Sequence, residues 1–365
     1  MNTHWRNGGY TVPHSDTYPW QWLWDSCFHA LVWAELGFPD RATAELASAL
    51  SDQDALGFVP HVRYVGNPDH LSDFWGRPAT SSITQPPMYG HAVAELVRRG
   101  VDVPDVTLRK AELGLRFLLD RRARTEDGLV TVVHPWETGC DDSPRWDHWC
   151  QPAWDTGRWY DVKGELLDGV ERAPSGAPLA NPAFGAGSVG FSALVAWNAA
   201  ELASVTGDRA LANAGLAVAR AVDARWDAGL RTWVDAGPSA ATSGRARTLD
   251  ALLGALLPGE HAVEALEQTV DDGAFGGRFG PPAVHRLDPT YEPGTYWRGS
   301  AWPQLTYLLW CAARRAGLDA VAKGLAGRLV AGAAASGLAE HWHPDTGAPL
   351  GAVPQSWTGL ALLVE

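Results

Sequence analysis

The chain has 365 residues, with 29 Lys and Arg against 42 Asp and Glu, and the resulting net charge of −13 is spread without a basic run. A field of that sign repels a phosphate backbone or an anionic lipid surface, so neither nucleic acid nor a membrane is an expected partner. The first twenty positions lack a charged start followed by an apolar run, and no segment approaches about 18 uninterrupted apolar residues, which predicts a cytoplasmic protein without a membrane span.

Apolar residues at helical spacing predict a first pair of helices over 22–36 and 39–52, joined by the short turn Gly37–Pro39. A second pair, 86–100 and 105–123, turns at Arg99–Pro104, and a third, 185–206 and 208–226, turns at Gly207–Asp208. Helices over 245–257, 259–272, 299–316, 318–335 and 354–364 bring the number close to a dozen. Between them, 124–184 and 273–298 are long stretches rich in Trp, Pro, Gly and Asp, of the kind that carry function in a compact domain. Val/Ile/Thr alternation is almost absent apart from 129–133, so a sheet is not expected at the core. Antiparallel helix pairs set around an axis make a toroid. The expected fold class is therefore all-α, an (α/α)6 barrel forming a single domain over 1–365, with long Trp-rich loops at one rim. A helical solenoid is the rival, but no repeat of fixed period is visible.

Cys27, Cys140, Cys150 and Cys311 are scattered without a C-x-x-C pair, so free thiols are expected rather than a disulfide frame or a zinc site. Tryptophan is the abundant aromatic, with 19 residues against 9 Phe and 8 Tyr. Its ring fills core space and also stacks on the C–H face of a sugar. Four segments combine it with carboxylates: TYPWQWLWDSCFHA (17–30), HPWETGCDDSPRWDHW (134–149), PTYEPGTYWRGSAWPQLTY (289–307) and LAEHWHPDTGAPLGAVPQSWTG (338–359). Loops so distant in sequence yet so alike are expected to converge on one pocket.

In the first segment Trp22, Asp25 and His29 fall at i, i+3 and i+7, on one helix face. Asp25 is expected to grip sugar hydroxyls; the alternative is a buried carboxylate satisfied by His29 or backbone. The second segment holds Glu137, Asp141, Asp142 and Asp147. Ser143 precedes Pro144 and is pushed out of the helical region, which makes this a shaped loop. In the fourth, an extended piece would put Glu340 and Trp342 on one side. His341 and His343 lack an evident third ligand, so no metal is expected. Glycoside cleavage needs one carboxylic acid to protonate the leaving oxygen and a second carboxylate to attack or to activate water, and the second and fourth segments supply candidates.

YPWQWLWDS (18–26), Q-x-x-x-GFVPH (53–61), SSITQPP (81–87), WETGCDDSPRWD (136–147), YWRGSAWPQLTY (296–307) and EHWHPDTGAP (340–349), in this order from Tyr18 to the C-terminus, resemble glycoside hydrolase family 63. The likeness is greatest to its bacterial mannosylglycerate and glucosylglycerate hydrolases, within the trehalase-like (α/α)6 clan. The resemblance implies inversion at the anomeric carbon without a cofactor, with Asp141 as general acid and Glu340 as general base. It implies that Tyr18, Trp22, Trp24, Asp25, Gln85, Trp297, Arg298 and Trp302 line the pocket for the non-reducing sugar of a small α-glucoside or α-mannoside. Trp136, Glu137, Trp342 and Trp357 are further candidates for substrate binding. Two departures are the shorter chain and Asp142, where an Asn commonly follows the acid. For a glycerate aglycone, Arg145, Arg298 or Tyr291 could serve, and Asp142 is expected to hold Ser143 or Arg145.

Two rivals remain at this stage. A sugar isomerase or epimerase on the same barrel would use a His pair from among His61, His341 and His343. A non-catalytic sugar-binding protein would share the Trp-lined pocket, but the presence of both Asp141 and Glu340 argues against it. Glucose against mannose, the aglycone and the oligomeric state are left open by the sequence.

Overall fold

The structure, a computed structural model, describes residues 1–150, 153–237 and 245–364. Its α-helices are α1 (Leu23–Glu35), α2 (Pro39–Ala49), α3 (Ser72–Trp75), α4 (Tyr89–Arg98), α5 (Asp105–Arg116), α6 (Thr156–Leu166), α7 (Val189–Thr206), α8 (Arg209–Asp223), α9 (Ala262–Glu267), α10 (Pro303–Arg315) and α11 (Asp319–Ala335). Two tighter 3-10 segments, Leu249–Leu256 and Ser356–Leu362, stand where helices over 245–257 and 354–364 were predicted. The molecule is mostly helical. Among the described residues, strands form only six short two-stranded antiparallel ribbons, one of them pairing Thr131–Val132 with Ala186–Gly187.

Burial separates the helices into two sets. α1 buries every residue from Leu23 to Trp33, and α7 buries nearly all of Val189 to Ala203, as expected of inner helices with apolar residues on every face. α8 instead buries a stripe at Leu211, Gly215, Val218, Ala219 and Val222, and leaves the opposite face to water. The packing follows from this division. α1 packs on α4, α4 on α7, α7 on Leu249–Leu256, that segment on α10, α10 on Ser356–Leu362, and Ser356–Leu362 back on α1. α2, α5, α8, α9 and α11 each lie against a member of that inner succession. α4 approaches α7 closely at Gly90, where a Cβ would fall 2.6 Å from the Asn198 carbonyl oxygen.

Local signals account for the helix ends. The turn read at Gly207–Asp208 is a left-handed Gly207 followed by Asp208, whose carboxylate accepts the Ala210 and Leu211 N–H groups of α8 at 2.9 and 3.0 Å. Four expectations are corrected. The helix over 86–100 starts only at Tyr89, because Pro86 and Pro87 precede it. That over 105–123 widens into a π-turn at Phe117–Arg121, and that over 259–272 shrinks to α9. α6 lies inside 124–184, where little helix was expected. All four cysteines are free, three of them buried. No helix among the described residues is long and apolar enough to cross a membrane.

Candidate active site

The four Trp-rich segments meet at one cavity of about 400 Å³. Tyr18, Trp20, Trp22, Trp24 and Asp25 enter from the first, Trp136, Gly139 and Asp141 from the second, Tyr296 and Trp297 from the third, and Glu340, Gln355 and Trp357 from the fourth. The chain reaches α1 through a two-residue strand, Gln21–Trp22, paired with Val62–Arg63. This brings Trp22 and, one turn into α1, Asp25 to the same opening. Trp24 packs against Gly139, whose φ of +72° and lack of a side chain leave room for the indole. Gln85 is tied in by accepting the Trp24 N–H at 3.3 Å.

Glu340 sits at the start of the ribbon His341–Trp342/Pro349–Leu350. Its Oε2 accepts the Ala352 N–H at 3.0 Å and its Oε1 accepts the Tyr18 hydroxyl at 3.0 Å. Trp357 donates its indole N–H to the Glu340 carbonyl at 3.1 Å, which anchors the backbone. Burial pushes the Glu340 carboxyl up; the Ala352 and Tyr18 donors pull against that, and the Asp141 charge adds to it. Asp25 is held well above the usual carboxylate range, first by burial and then by the charge of Glu340. His29, its suggested partner, points elsewhere: its Nε2 lies 2.6 Å from Ser356 Oγ.

Asp141 and Asp142 share one ammonium. Lys163 Nζ, on α6, lies 2.9 Å from Asp141 Oδ2 and 2.8 Å from Asp142 Oδ1. Only Asp141 of the two lines the cavity. Trp159 Nε1 donates to the Asp141 carbonyl at 2.8 Å, so two residues of α6 fix this loop. Burial and the Asp141 charge push the Asp142 carboxyl up to about 6, against the pull of Lys163. Lys163 was missed in the sequence, and Asp142 pairs with it rather than with Ser143 or Arg145.

Six candidate binding residues lie off the cavity. Glu137 is fully buried and grips Arg122 with both oxygens at 2.5 and 3.0 Å, while accepting the Thr84 and Val133 N–H groups. Arg145 is buried between Asp235, at 3.0 Å, and Asp250. Arg298 is clamped by both oxygens of Asp147 at 2.8 and 2.6 Å. Tyr291 accepts from Arg286 Nη1 at 3.0 Å. Trp302 lies one layer behind, stacked 3.8 Å from Trp297 and 4.4 Å from His341. Trp342 donates to the Phe279 carbonyl at 2.6 Å and packs on Gly332. In each case a structural partner absorbs the side chain. Glu137→Gln is therefore expected to cost stability, about 3 kcal/mol, because it leaves the Arg122 charge buried and uncompensated; a fall in the urea midpoint of unfolding checks this.

The sequence reading also missed part of the cavity. Trp20, Tyr64, His70, Leu71, Phe74, Trp75, Tyr160, Tyr296 and Gln355 all line it. The signal was present in the aromatic pair Phe74-Trp75, which ends α3. Of the histidines suited to an isomerase, His61 alone lines the cavity, and burial drives it down to about 3. His341 is stacked on Trp302, and His343 Nδ1 accepts the Asp345 and Thr346 N–H groups of its own turn. Among the described residues, His91, Glu95 and Glu201 are close enough together to hold a metal, but Arg98 already bonds Glu95 at 2.8 Å and Glu201 at 2.5 Å.

Comparison with known proteins gives the family of the chain. Residues 18–358 match the model of the mannosylglycerate hydrolase MGH1-like glycoside hydrolase domain. The chain is 29% identical to a mannosylglycerate hydrolase of Thermus thermophilus, over 98% of its own length and 96% of that protein's. It is also 29% identical to a glucosylglycerate hydrolase of Mycolicibacterium hassiacum, over 95% and 91%. In three dimensions it is similar to the crystal structure of a family 63 mannosylglycerate hydrolase from Thermus thermophilus in complex with Tris and D-glycerate. The TM-score is 0.83 at 26% identity, covering 99% of this chain and 97% of that one.

Proposed function

The chain belongs to the MGH1-like glycoside hydrolases of family 63, and on that premise we propose that it is an inverting α-glycosidase acting on a small α-glucoside or α-mannoside such as glucosylglycerate or mannosylglycerate. The single observation that carries the reading is that Asp141 and Glu340, from loops nearly 200 positions apart, both face one Trp-lined cavity with the Tyr18 hydroxyl on Glu340. The closed succession of inner helices with outer partners supports a single (α/α)6 catalytic domain whose Trp-rich loops gather at one rim.

Asp141 is the general acid. Lys163 bonds both Asp141 and Asp142, and only Asp141 of the two lines the cavity, so it is the carboxyl that can reach the glycosidic oxygen with a proton. Lys163 aims the Asp141 carboxyl into the cavity. Glu340 is the general base, its carboxylate oriented by Ala352 and Tyr18 to draw a proton from the attacking water. Asp25, charged only at a cost in its buried setting, grips sugar hydroxyls. Trp24, Trp297 and Trp357 form the surrounding plates. Inversion requires room for water, and a separation of roughly 6.5–9.5 Å between the two carboxyls accompanies it.

The test is the configuration of the first-formed sugar. Proton NMR during cleavage of an α-glycoside is expected to show the β-anomer first, with the α-anomer growing in by mutarotation. An initial α-anomer would overturn the inverting assignment of Glu340 as base.

A further inference from the structure

The hydroxyls of Tyr18 and Tyr296 lie near both Glu340 and Asp141, with the Tyr18 hydroxyl bonded to Glu340. On the Lys163 side of Asp141 the cavity is lined by a wall of aromatic rings. Trp136 lies 5.7 Å from Trp75 and 6.3 Å from Tyr160 between ring centroids, and Phe74 lies 4.8 Å from Trp75. His70 is held 4.9 Å from both Trp20 and Tyr64. Lys163 ties the wall to the acid, because it bonds Asp141 while its Nζ lies 5.4 Å over Trp136 and 5.8 Å over Tyr160. A leaving oxygen protonated by Asp141 therefore has its substituent against these rings.

Exposure points the same way. Tyr160 is 62% exposed, Leu71 48% and Phe74 40%, and all three line this cavity. Large apolar side chains left in water and grouped at one opening mark a surface kept for a ligand. Among the described residues no Lys or Arg lines the cavity, and the one cation against the wall, Lys163, is shared between the Asp141 and Asp142 carboxyls. Arg145, Arg298 and Lys163 are each engaged by aspartates, and His61 stays neutral near pH 7. The groups the wall offers match the C–H faces and hydroxyls of a ring, and none of them is a full counter-charge for a carboxylate.

We propose that this wall is a subsite for an uncharged sugar ring, so that the enzyme also hydrolyses neutral α-linked disaccharides and turns over a glycerol glycoside at least as well as the matching glycerate glycoside. The proposal rests on the glycosidase reading above. Bond making and breaking are those of hydrolysis. Water oxygen bonds the anomeric carbon as the bond to the leaving oxygen breaks; one water proton passes to Glu340, and the Asp141 proton passes to the departing hydroxyl.

The experiment compares kcat/KM for glucosylglycerol, glucosylglycerate and a set of α-linked glucose disaccharides, with the manno series in parallel and α-glycosyl fluorides as substrates that lack a leaving-group ring. Cleavage of at least one disaccharide, together with glucosylglycerol equal to or above glucosylglycerate, is expected. Tyr160→Ala and Phe74→Ala should each narrow the preference for that disaccharide over the fluoride by roughly five- to tenfold, as expected for loss of a stacking partner. Glycerate glycosides outpacing their glycerol counterparts, or a complete failure to cleave disaccharides while the fluorides react, overturns the subsite. If the fluorides are inert as well, it is the glycosidase reading that has failed, and the subsite falls with it.

Discussion

Asp141→Asn is expected to lower kcat on glycosides with poor leaving groups by about 10²–10⁴-fold, the range in which general acids act, while leaving KM near its starting value. The amide keeps the shape of the carboxyl but has no proton to give. Substrates whose leaving group needs little protonation, such as an aryl glycoside or a glycosyl fluoride, should lose far less. Asp142→Asn should cost far less than a substitution at Asp141 or Glu340, because Asp142 does not line the cavity and its carboxyl bonds Lys163. An inactive Asp142→Asn enzyme beside an active Asp141→Asn one would show that the acid had been placed one residue out of register.

Glu340→Gln is expected to lose activity toward the upper end of the same range, about 10⁴-fold, and to lose it on good and poor leaving groups alike. Water must be activated whatever departs, so no choice of substrate relieves the defect. This contrast with Asp141→Asn separates base from acid without a structure of either variant. The base works only when ionised, and burial holds the Glu340 carboxyl above its ordinary value. The acid limb of kcat/KM should therefore lie above the usual range near pH 4.3. Tyr18→Phe removes a hydrogen bond to the ionised form, raises the carboxyl further, and should carry that limb to still higher pH with a smaller loss of rate. A limb that is unmoved in Tyr18→Phe would mean that another group sets it.

Most of the helical architecture was legible in the chain itself. Predominantly apolar stretches such as 189–203 declare buried helices, amphipathic ones such as 209–223 declare outer helices, and turns such as Gly207-Asp208 declare the reversals between them, because burial and capping act through residues close in sequence. The composition of four Trp-rich segments also announced that they would meet, and Tyr18, Trp22, Trp24, Asp25, Gln85, Trp136, Asp141, Trp297, Glu340 and Trp357 do line one cavity. Only the tertiary structure decided which polar residues were left over for a ligand. Glu137, Arg145 and Arg298 look like site residues in the sequence, yet Arg122, Asp235 with Asp250, and Asp147 absorb them. Their partners come from 15 to 151 positions away, beyond any local pattern. The same physics hid α6. Its inward positions are Trp159, Lys163 and Leu166, and a lysine in the buried stripe breaks the apolar period. That lysine is buried only because Asp141 and Asp142, more than twenty positions earlier, compensate its charge across the fold.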